Sequence, residues 1–153
     1  MVEGKARLWA RPHRFPIAAL SQRLANVKEP TWAPVAQLAL GLGEDARLAG
    51  GLKALGYGGA VIEGMGAGHV PAAAVEALTA LVAQMPVILS TRVVGGPVFQ
   101  ATYGFPGSEM DTLARGLISA GDLSSNKARL LLSLLLAAEA SQDEIKAAFA
   151  LGA

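Results

Sequence analysis

Side chains capable of chemistry follow three hydrophobic runs of the chain, at positions where a strand would end. They are Glu63, His69, Ser90, Thr91, Arg92 and Asp122. A hydroxyl, an imidazole and a carboxylate are the parts of a nucleophilic site, but no G-x-S-x-G turn surrounds the hydroxyls, and only His13 and His69 could act as the base. We expect the hydroxyls to bind neighbouring backbone, and Arg92 and Asp122 to serve as an ion pair and a helix cap. The residues predict a binding or assembly domain without catalytic residues of its own.

The glycine-rich segment IEGMGAGHVP (residues 62–71) resembles a phosphate-binding turn at first sight. A dinucleotide site needs G-x-G-x-x-G, whereas Gly64, Gly66 and Gly68 give G-x-G-x-G with His69 next, and no Gly-Lys-Ser or Gly-Lys-Thr follows. Nucleotide binding therefore stays the weakest alternative. The backbone N–H groups of this loop, at the start of a helix, are suited to a carboxylate or amide oxygen.

Composition removes several classes of function. The 153 residues carry a net charge of +1, so we expect neither nucleic acid nor an anionic membrane as a partner. The chain has no cysteine, which excludes thiol catalysis and cysteine-ligated metal sites. We expect no metal and no organic cofactor.

The hydrophobic content indicates an association surface rather than a membrane segment. The longest hydrophobic stretch, Leu130 to Ala138, spans nine residues and contains Ser133, whereas about 18 apolar residues are needed to cross a bilayer. The first residues lack the apolar core of a signal peptide, so we expect a cytoplasmic protein. Hydrophobic residues make up 52% of the chain and charged residues 16%, which suggests that part of the apolar surface faces a partner.

The elements that position these residues alternate between strand and helix from residue 34 onward. Residues 1–33 predict an N-terminal arm or linker, with at most a strand near Ala6 to Ala10. VAQLAL, GGAVIEG and PVILSTR predict three buried strands, and LIS a brief fourth. Residues 34–153 therefore predict one α/β domain, a three-layer sandwich with a small, about four-stranded parallel sheet, of flavodoxin-like or Rossmann-like build.

Each predicted helix has an apolar face. EDARLAGGLKALG predicts a helix that ends at Gly56, VPAAAVEALTALVAQ one that begins at Pro71, MDTLARG a short helix, and SSNKARLLLSLLLAAE a long one. Ser141 and Glu144 have the spacing of a capping box for the last helix. The expected core residues are Leu48, Leu52 and Leu55, then Ala74, Val75, Leu78, Leu81 and Val82, then Leu130, Leu131, Leu134, Leu135 and Ala138, and finally Ile145, Ala148 and Phe149.

Four segments taken together resemble the C-terminal domain of the L-asparaginase family, which includes glutaminase-asparaginases and an archaeal amidotransferase subunit. They are GAVIEGMGAGHVPAAAVEAL, PVILSTRVVGG, AGDLSSNKARLLLSLLL and SQDEIKAAF. The resemblance covers roughly Tyr57 to Leu151, and the first fifty residues match only loosely. It implies an amidohydrolase that converts asparagine to aspartate and ammonia.

The resemblance also implies a division of labour between domains. The catalytic threonines of the family lie in T-G-G-T-I and H-G-T-D-T motifs of a larger N-terminal domain, and neither motif occurs in this chain. We therefore expect no catalytic residue here and no activity of the chain alone. The implied partners are an asparaginase-like N-terminal catalytic domain, a second copy of the chain in a homodimer or larger assembly, and a small amino-acid substrate.

Two residues are expected to bind substrate across that assembly. In the family, an Asn of the glycine loop and a Glu of a later Gly-rich loop approach the α-amino end of the substrate in the neighbouring subunit. The Glu corresponds to Glu109, whereas Ala67 occupies the Asn position and His69 stands where a second Asn often occurs. The resemblance thus implies substrate binding by His69 and Glu109, with the loop backbone at Gly64, Gly66 and Gly68. The alternative is a free-standing, self-associating α/β module without catalysis.

Overall fold

The computed structural model describes residues 17–150. The strand anticipated near Ala6 to Ala10 lies outside the described residues. Within the predicted arm, the structure contains a helix that the sequence did not lead us to expect, α1 (Ile17–Asn26). Arg23 of α1 forms an ion pair with Glu144 and donates a hydrogen bond to the Glu139 carbonyl at 2.9 Å. This pairing lowers the pKa of Glu144 to about 2, and it joins the arm to the end of the domain.

The sheet is parallel and contains four strands, β1 (Val35–Ala39), β2 (Gly59–Gly64), β3 (Val87–Thr91) and β4 (Ile118–Ser119), in the order β1-β2-β3-β4. The predicted α/β class and the four parallel strands flanked by helices are confirmed. The sequential order lacks the reversal at which doubly wound sheets bind nucleotides.

One face of the sheet is covered by the connections between strands. These are a 3-10 helix (Arg47–Gly51), a second 3-10 turn (Ala72–Ala74) that leads into α2 (Val75–Val82), and α3 (Glu109–Ala114). The predicted α2 face is confirmed, since Ala74, Val75, Leu78 and Leu81 are buried and Val82 packs against them. Among the described residues, no helix is long and apolar enough to span a membrane.

The other face is covered by α4 (Ser125–Ala137) and α5 (Gln142–Ala150). A Cβ at Gly59 would lie 2.8 Å from Leu132 Cδ2, so glycine allows β2 to approach α4 closely. The capping box of α5 is confirmed, with Ser141 N donating to Glu144 Oε2 at 2.7 Å and Glu144 N donating to Ser141 Oγ at 3.3 Å. The expected burial of Ile145, Ala148 and Phe149 is also confirmed.

Two expected apolar faces are partly wrong. Residues 44–56 form the short 3-10 helix instead of a longer α-helix, and Leu48 and Leu55 are 72% and 73% exposed. The buried positions there, Ala46, Ala49 and Leu52, are three residues apart, which is the repeat of a 3-10 helix. In α4, Leu130 is 59% exposed, whereas Leu132, which was not expected in the core, is fully buried. In LLLSLLL, Ser133 is the single polar residue among six leucines, so the sequence pattern does not show which side of the helix is buried.

Candidate functional site at the carboxyl edge of the sheet

The glycine-rich loop after β2 folds back on itself. Met65 and His69 form an antiparallel bridge, and the amides of Gly68 and His69 both donate to the Met65 carbonyl, at 2.9 and 2.8 Å. The next amide, that of Val70, donates to the Gly107 carbonyl at 2.8 Å. These N–H groups are therefore used inside the protein, which removes the physical basis for a phosphate cradle at this end of the loop.

The glycines of the loop allow its backbone to turn tightly and to pack closely against neighbouring residues. Gly66 and Gly68 have φ angles of 51° and 104°, which residues with a side chain rarely adopt. A Cβ at Gly68 would lie 2.9 Å from Val98 Cγ1, and one at Gly64 would lie 2.8 Å from the His69 carbonyl oxygen. The G-x-G-x-G spacing thus lets the loop pack under the segment that follows β3.

The hydroxyls at the end of β3 hold the strand end in place. Thr91 Oγ1 donates to the Gly66 carbonyl at 2.5 Å, and Ser90 Oγ donates to the Leu123 carbonyl at 3.1 Å. The expectation that these hydroxyls bind neighbouring backbone is confirmed. Both hydroxyls donate to carbonyl oxygens, and neither hydrogen-bonds to His69, the histidine among residues 17–150. Within the described residues they therefore form no nucleophile and base pair.

Glu109 is a buried carboxylate at the start of α3. It is the first residue of the helix, after the N-cap Ser108, whose Oγ accepts from Asp111 N at 3.3 Å. Its side chain has no solvent exposure. Glu109 Oε1 accepts from the amides of Thr102 at 3.0 Å and Tyr103 at 2.7 Å. The carboxylate thereby holds the loop before α3 against the helix.

The ionised form of Glu109 is favoured despite its burial. Burial by itself raises the pKa of this carboxyl. The hydrogen bonds from the Tyr103 and Thr102 amides, from its own amide and from His69 outweigh burial, so the pKa of Glu109 lies below its usual value. Glu109 is therefore a carboxylate, and a hydrogen-bond acceptor only, at neutral pH.

His69 is the second partner of this carboxylate. His69 Nε2 lies 3.1 Å from Glu109 Oε2, although the two residues are 40 positions apart in the chain. The imidazole makes edge contacts with Tyr103 at a centroid distance of 4.9 Å and with Phe105 at 5.0 Å. We call His69, Tyr103, Phe105 and Glu109 the histidine cluster. The structure thus brings the two expected substrate-binding residues into direct contact.

Tyr103 and Phe105 were missed by the sequence analysis. Their alternation with glycines in TYGFPG could have indicated a loop with aromatic rings on its surface. Glycine-rich loops lie at the surface, so large apolar side chains within them often belong to a binding site or an interface. Both rings are about half exposed, although they contact the partly buried imidazole.

The remaining polar residues line a separate cleft of about 430 Å³ between the end of β3 and the start of α4. We call it the Glu63 cleft, and its polar residues are Glu63, Thr91, Arg92, Asp122, Ser124 and Ser125. Ser125 Oγ donates to Glu63 Oε2 and accepts from Gln37 Nε2 at 3.1 Å. The cleft has space for a small molecule, whereas the histidine cluster is packed.

The expected roles of Arg92 and Asp122 are wrong. Within residues 17–150 no ion pair joins them, and Arg92 Nη2 instead donates to the Leu40 carbonyl. The N-cap of α4 is Ser124 rather than Asp122. In the part of the chain that the structure describes, no group of three or more acidic or histidine side chains is placed to bind a metal.

The fold and these clusters define a class of protein: a small parallel α/β domain that presents a histidine and a buried carboxylate at the carboxyl edge of its sheet. Residues 34–149 match the glutaminase/asparaginase C-terminal domain. The chain belongs to this family and is homologous to L-asparaginases.

Curated relatives agree with this assignment. A probable L-asparaginase of Deinococcus radiodurans is 35% identical over 109 residues, which cover 67% of this chain and 33% of the relative. An L-asparaginase of Bacillus licheniformis is 35% identical over 83 residues, which cover 54% of this chain and 26% of the relative. The chain thus spans a third or less of the length of these relatives.

Solved structures match the fold as well. A probable cytoplasmic L-asparaginase from Campylobacter jejuni superposes with a TM-score of 0.65 at 29% identity, over 78% of this chain and 35% of that protein. The thermostable L-asparaginase of Thermococcus kodakarensis superposes with a TM-score of 0.67 over 76% of this chain and 35% of that protein, and at 24% identity it supports the fold alone.

Proposed function

We propose that this chain acts as the C-terminal domain of an L-asparaginase-like amidohydrolase and supplies His69 and Glu109 to the substrate site of a neighbouring subunit. In the complete enzyme, a threonine of the N-terminal domain attacks the side-chain amide of asparagine and ammonia leaves. Water then hydrolyses the acyl-enzyme to aspartate. The observation that carries this proposal is the contact between His69 and Glu109 at the carboxyl edge, in a chain whose family match covers residues 34–149.

The absence of catalytic threonines from this chain is part of the proposal. The hydroxyls of Thr91 and Ser90, at the end of β3, donate to the carbonyl oxygens of Gly66 and Leu123. Nucleophilic catalysis requires a base within hydrogen-bond reach of the hydroxyl. We therefore expect the purified chain to release no ammonia from L-asparagine.

An exposed apolar surface adjoins the histidine cluster and supports a role in dimerisation. It extends from Val93 to Met110, and its large exposed side chains are Val93, Val94, Phe99, Tyr103, Phe105 and Met110. Exposed aromatic and methionine side chains of this kind are enriched at protein interfaces. Tyr103 and Phe105 of this surface contact the His69 ring, so a partner that covers these two rings would be adjacent to the imidazole. We also propose a cytoplasmic location, which the description of the Campylobacter jejuni relative supports.

Ammonia release from L-asparagine tests the function. The chain is assayed alone and after mixing with a separately expressed N-terminal domain of an L-asparaginase. We expect no release by the chain alone and release by the mixture. Ammonia release by the chain alone would contradict the absence of catalytic groups. A mixture that neither associates nor turns over would favour the alternative, a self-associating α/β module without catalysis.

Sedimentation velocity with two matched variants tests the dimer surface. Val94→Asp places a charge on the Val93–Met110 surface, and Leu130→Asp places one on the exposed side of α4; both residues are exposed and apolar in the described structure. We expect a dimer that Val94→Asp dissociates and Leu130→Asp preserves. Equal effects of the two variants, or a monomeric parent protein, would refute this surface.

A further inference from the structure

The helix α1 lies on the α4 side of the domain without entering its core. It contacts α4, and Leu20 packs against the apolar cluster between the sheet and the α4–α5 layer. Of the α1 side chains that the structure describes, those of residues 19–26, Leu20, Arg23 and Leu24 are partly buried and the others are exposed. By contrast, α5 places three buried side chains in the same cluster. Apolar burial therefore holds α1 on the domain far more weakly than it holds α5.

The length of α1 makes its folding depend on this docking. The helix has ten residues, and isolated helices shorter than about 12 residues are marginal in water. Once detached from the domain, α1 would lose the contacts that favour its helical form. The groups that hold α1 in place therefore also determine whether it is folded.

The turn between α4 and α5 presents two acceptors to α1. Glu139, in this turn, has a φ of 54° and a carbonyl that accepts from Arg23 Nη2 at 2.9 Å. Glu144, in the first turn of α5, accepts from Ser141 N with Oε2 at 2.7 Å and from Arg23 Nη1 with Oε1. The left-handed residue that closes α4 and the capping box that opens α5 thus orient both acceptors without help from α1.

The two acceptors suit a guanidinium group. A guanidinium is a planar fork whose nitrogens can donate in two fixed directions, whereas the ammonium of a lysine is a single point charge. Both acceptors are also electronegative, because one lies at the carboxyl end of α4 and the other is a carboxylate. Arg23 therefore fits this turn in shape and charge, and it makes the side-chain hydrogen bonds that join α1 to the rest of the described chain.

We propose that α1 is a strap fastened by Arg23: it docks on the α4–α5 turn as a helix, and it detaches and unfolds as one unit while the α/β domain stays folded. The predicted arm, residues 1–33, includes α1. The Arg23 contact thus decides whether this part of the arm is held against the domain or released from it. The strap does not depend on the function proposed above, since all of its contacts lie within the chain.

Hydrogen exchange of the full chain, followed by NMR at several low urea concentrations, tests whether α1 opens as a unit. The amides of residues 21–26, which bond within α1, should exchange through a local opening that depends little on urea. The β3 amides should exchange through global unfolding, with a strong dependence on urea. Unprotected α1 amides would show that the helix is not docked. The same urea dependence in α1 and β3 would show that α1 belongs to the core. Either result refutes the strap.

A pair of arginine variants tests the role of Arg23. Arg23→Gln removes the charge but retains a residue that favours helices. We expect the opening constant of α1 to rise about 5-fold or more, with exchange in β3 unchanged. Arg115→Gln is the matched control, because Arg115 is 42% exposed against 41% for Arg23 and pairs with Asp111 inside α3. An unchanged opening constant in Arg23→Gln, or an equal rise in both variants, would contradict the role of Arg23.

Glu144→Gln separates the ion pair from the capping box. Glutamine also completes a capping box with Ser141, so protection of α5 should persist while α1 opens more often. The effect should be smaller than that of Arg23→Gln, because the Glu139 carbonyl still accepts. The double variant should open no more than Arg23→Gln alone, since both changes act on one contact. Additive effects, or loss of protection in α5 with α1 unchanged, would rule out this contact as the fastening.

Exchange at two protein concentrations identifies the chain on which α1 docks. A strap within one chain predicts the same α1 protection at both concentrations. Protection of α1 that rises with concentration would mean that the helix docks on a second copy, and the intramolecular strap would then be wrong.

Discussion

The two polar clusters at the carboxyl edge of the sheet place a glutamate in opposite environments. In the histidine cluster, Glu109 is buried and its acceptors are occupied by amides and an imidazole. In the Glu63 cleft, Glu63 is partly exposed and binds a serine hydroxyl beside about 430 Å³ of open space. The fold therefore pre-organises polar groups in the histidine cluster rather than in the cleft, although the cleft has the larger open space. The histidine cluster buries a charge, and the folded protein tolerates this charge only while all of its hydrogen-bond partners are present.

The largest expected effect is the loss of the buried carboxylate. Glu109→Ala leaves the Thr102 and Tyr103 amides without acceptors, so we expect the free energy of unfolding to fall by about 3 kcal/mol. Glu63→Ala, the matched change in the cleft, should cost less than about 1 kcal/mol, since water can replace its partner. Urea unfolding followed by circular dichroism measures both. Similar losses in the two variants would break the distinction between the clusters.

The next effect comes from the glycine loop that carries His69. Gly68→Ala combines an unfavourable φ of 104° with a contact of 2.9 Å to Val98, and we expect a loss of about 2 kcal/mol or more. Gly66→Ala, with a φ of 51° and open space around its Cβ, should cost about 1 kcal/mol. Thermal unfolding of both variants provides the measurement. A larger loss of stability in Gly66→Ala than in Gly68→Ala would show that contact with Val98 does not constrain the loop.

The two environments should also differ in pH dependence. Since the pKa of Glu109 is lower in the folded than in the unfolded protein, its ionisation stabilises the fold above the unfolded value of about 4.3, and this contribution is lost as pH falls through the folded pKa. The unfolding free energy of the parent chain should therefore decline more steeply below about pH 4.5 than that of Glu109→Gln. Urea titrations at several pH values between neutral and acidic compare the two slopes. Parallel curves would contradict the lowered pKa.

The smallest effects are expected in the Glu63 cleft. Ser125→Ala removes the hydroxyl that joins Gln37 to Glu63, and we expect a loss of about 1 kcal/mol. Asp122→Asn, at an exposed residue that is neither an N-cap nor an ion-pair partner of Arg92, should change stability by less than about 0.5 kcal/mol. Chemical unfolding of both proteins makes the comparison. A large effect of Asp122→Asn would show that the cleft is more organised than its contacts indicate.

Much of the fold could be predicted from short-range patterns. The apolar runs at β2 and β3 are buried on both faces, as expected for parallel strands. The Ser141–Glu144 spacing correctly marks the start of α5. Predictions failed where the pattern holds little information. In α4, leucines occupy every position of residues 130–136 except Ser133, so the pattern does not show which of them face the sheet. Leu132 is the one that lies closest to Gly59 of β2.

The candidate site could be predicted in part. The resemblance to the asparaginase family indicated His69 and Glu109, and their role in a substrate site stays a prediction. Their contact could not be read from the chain, because 40 residues separate them and the loop between β3 and α3 has no regular pattern. The aromatic neighbours Tyr103 and Phe105 were missed for the same reason.

Local sequence was sufficient to predict the strands, the Pro-started helix face and the capping box, because each depends on residues within one segment. The family was indicated by four segments taken together. The folded structure was needed to show that the amides of Gly68, His69 and Val70 are used internally, that Arg92 and Asp122 do not pair, and that Glu109 is buried against His69. The physical reason is that burial and hydrogen-bond geometry depend on which distant segments meet. A glutamate reads the same in the sequence whether its carboxylate lies in a cleft or in a core. In the cleft, water can donate hydrogen bonds to the carboxylate, whereas in the core the protein must supply every donor.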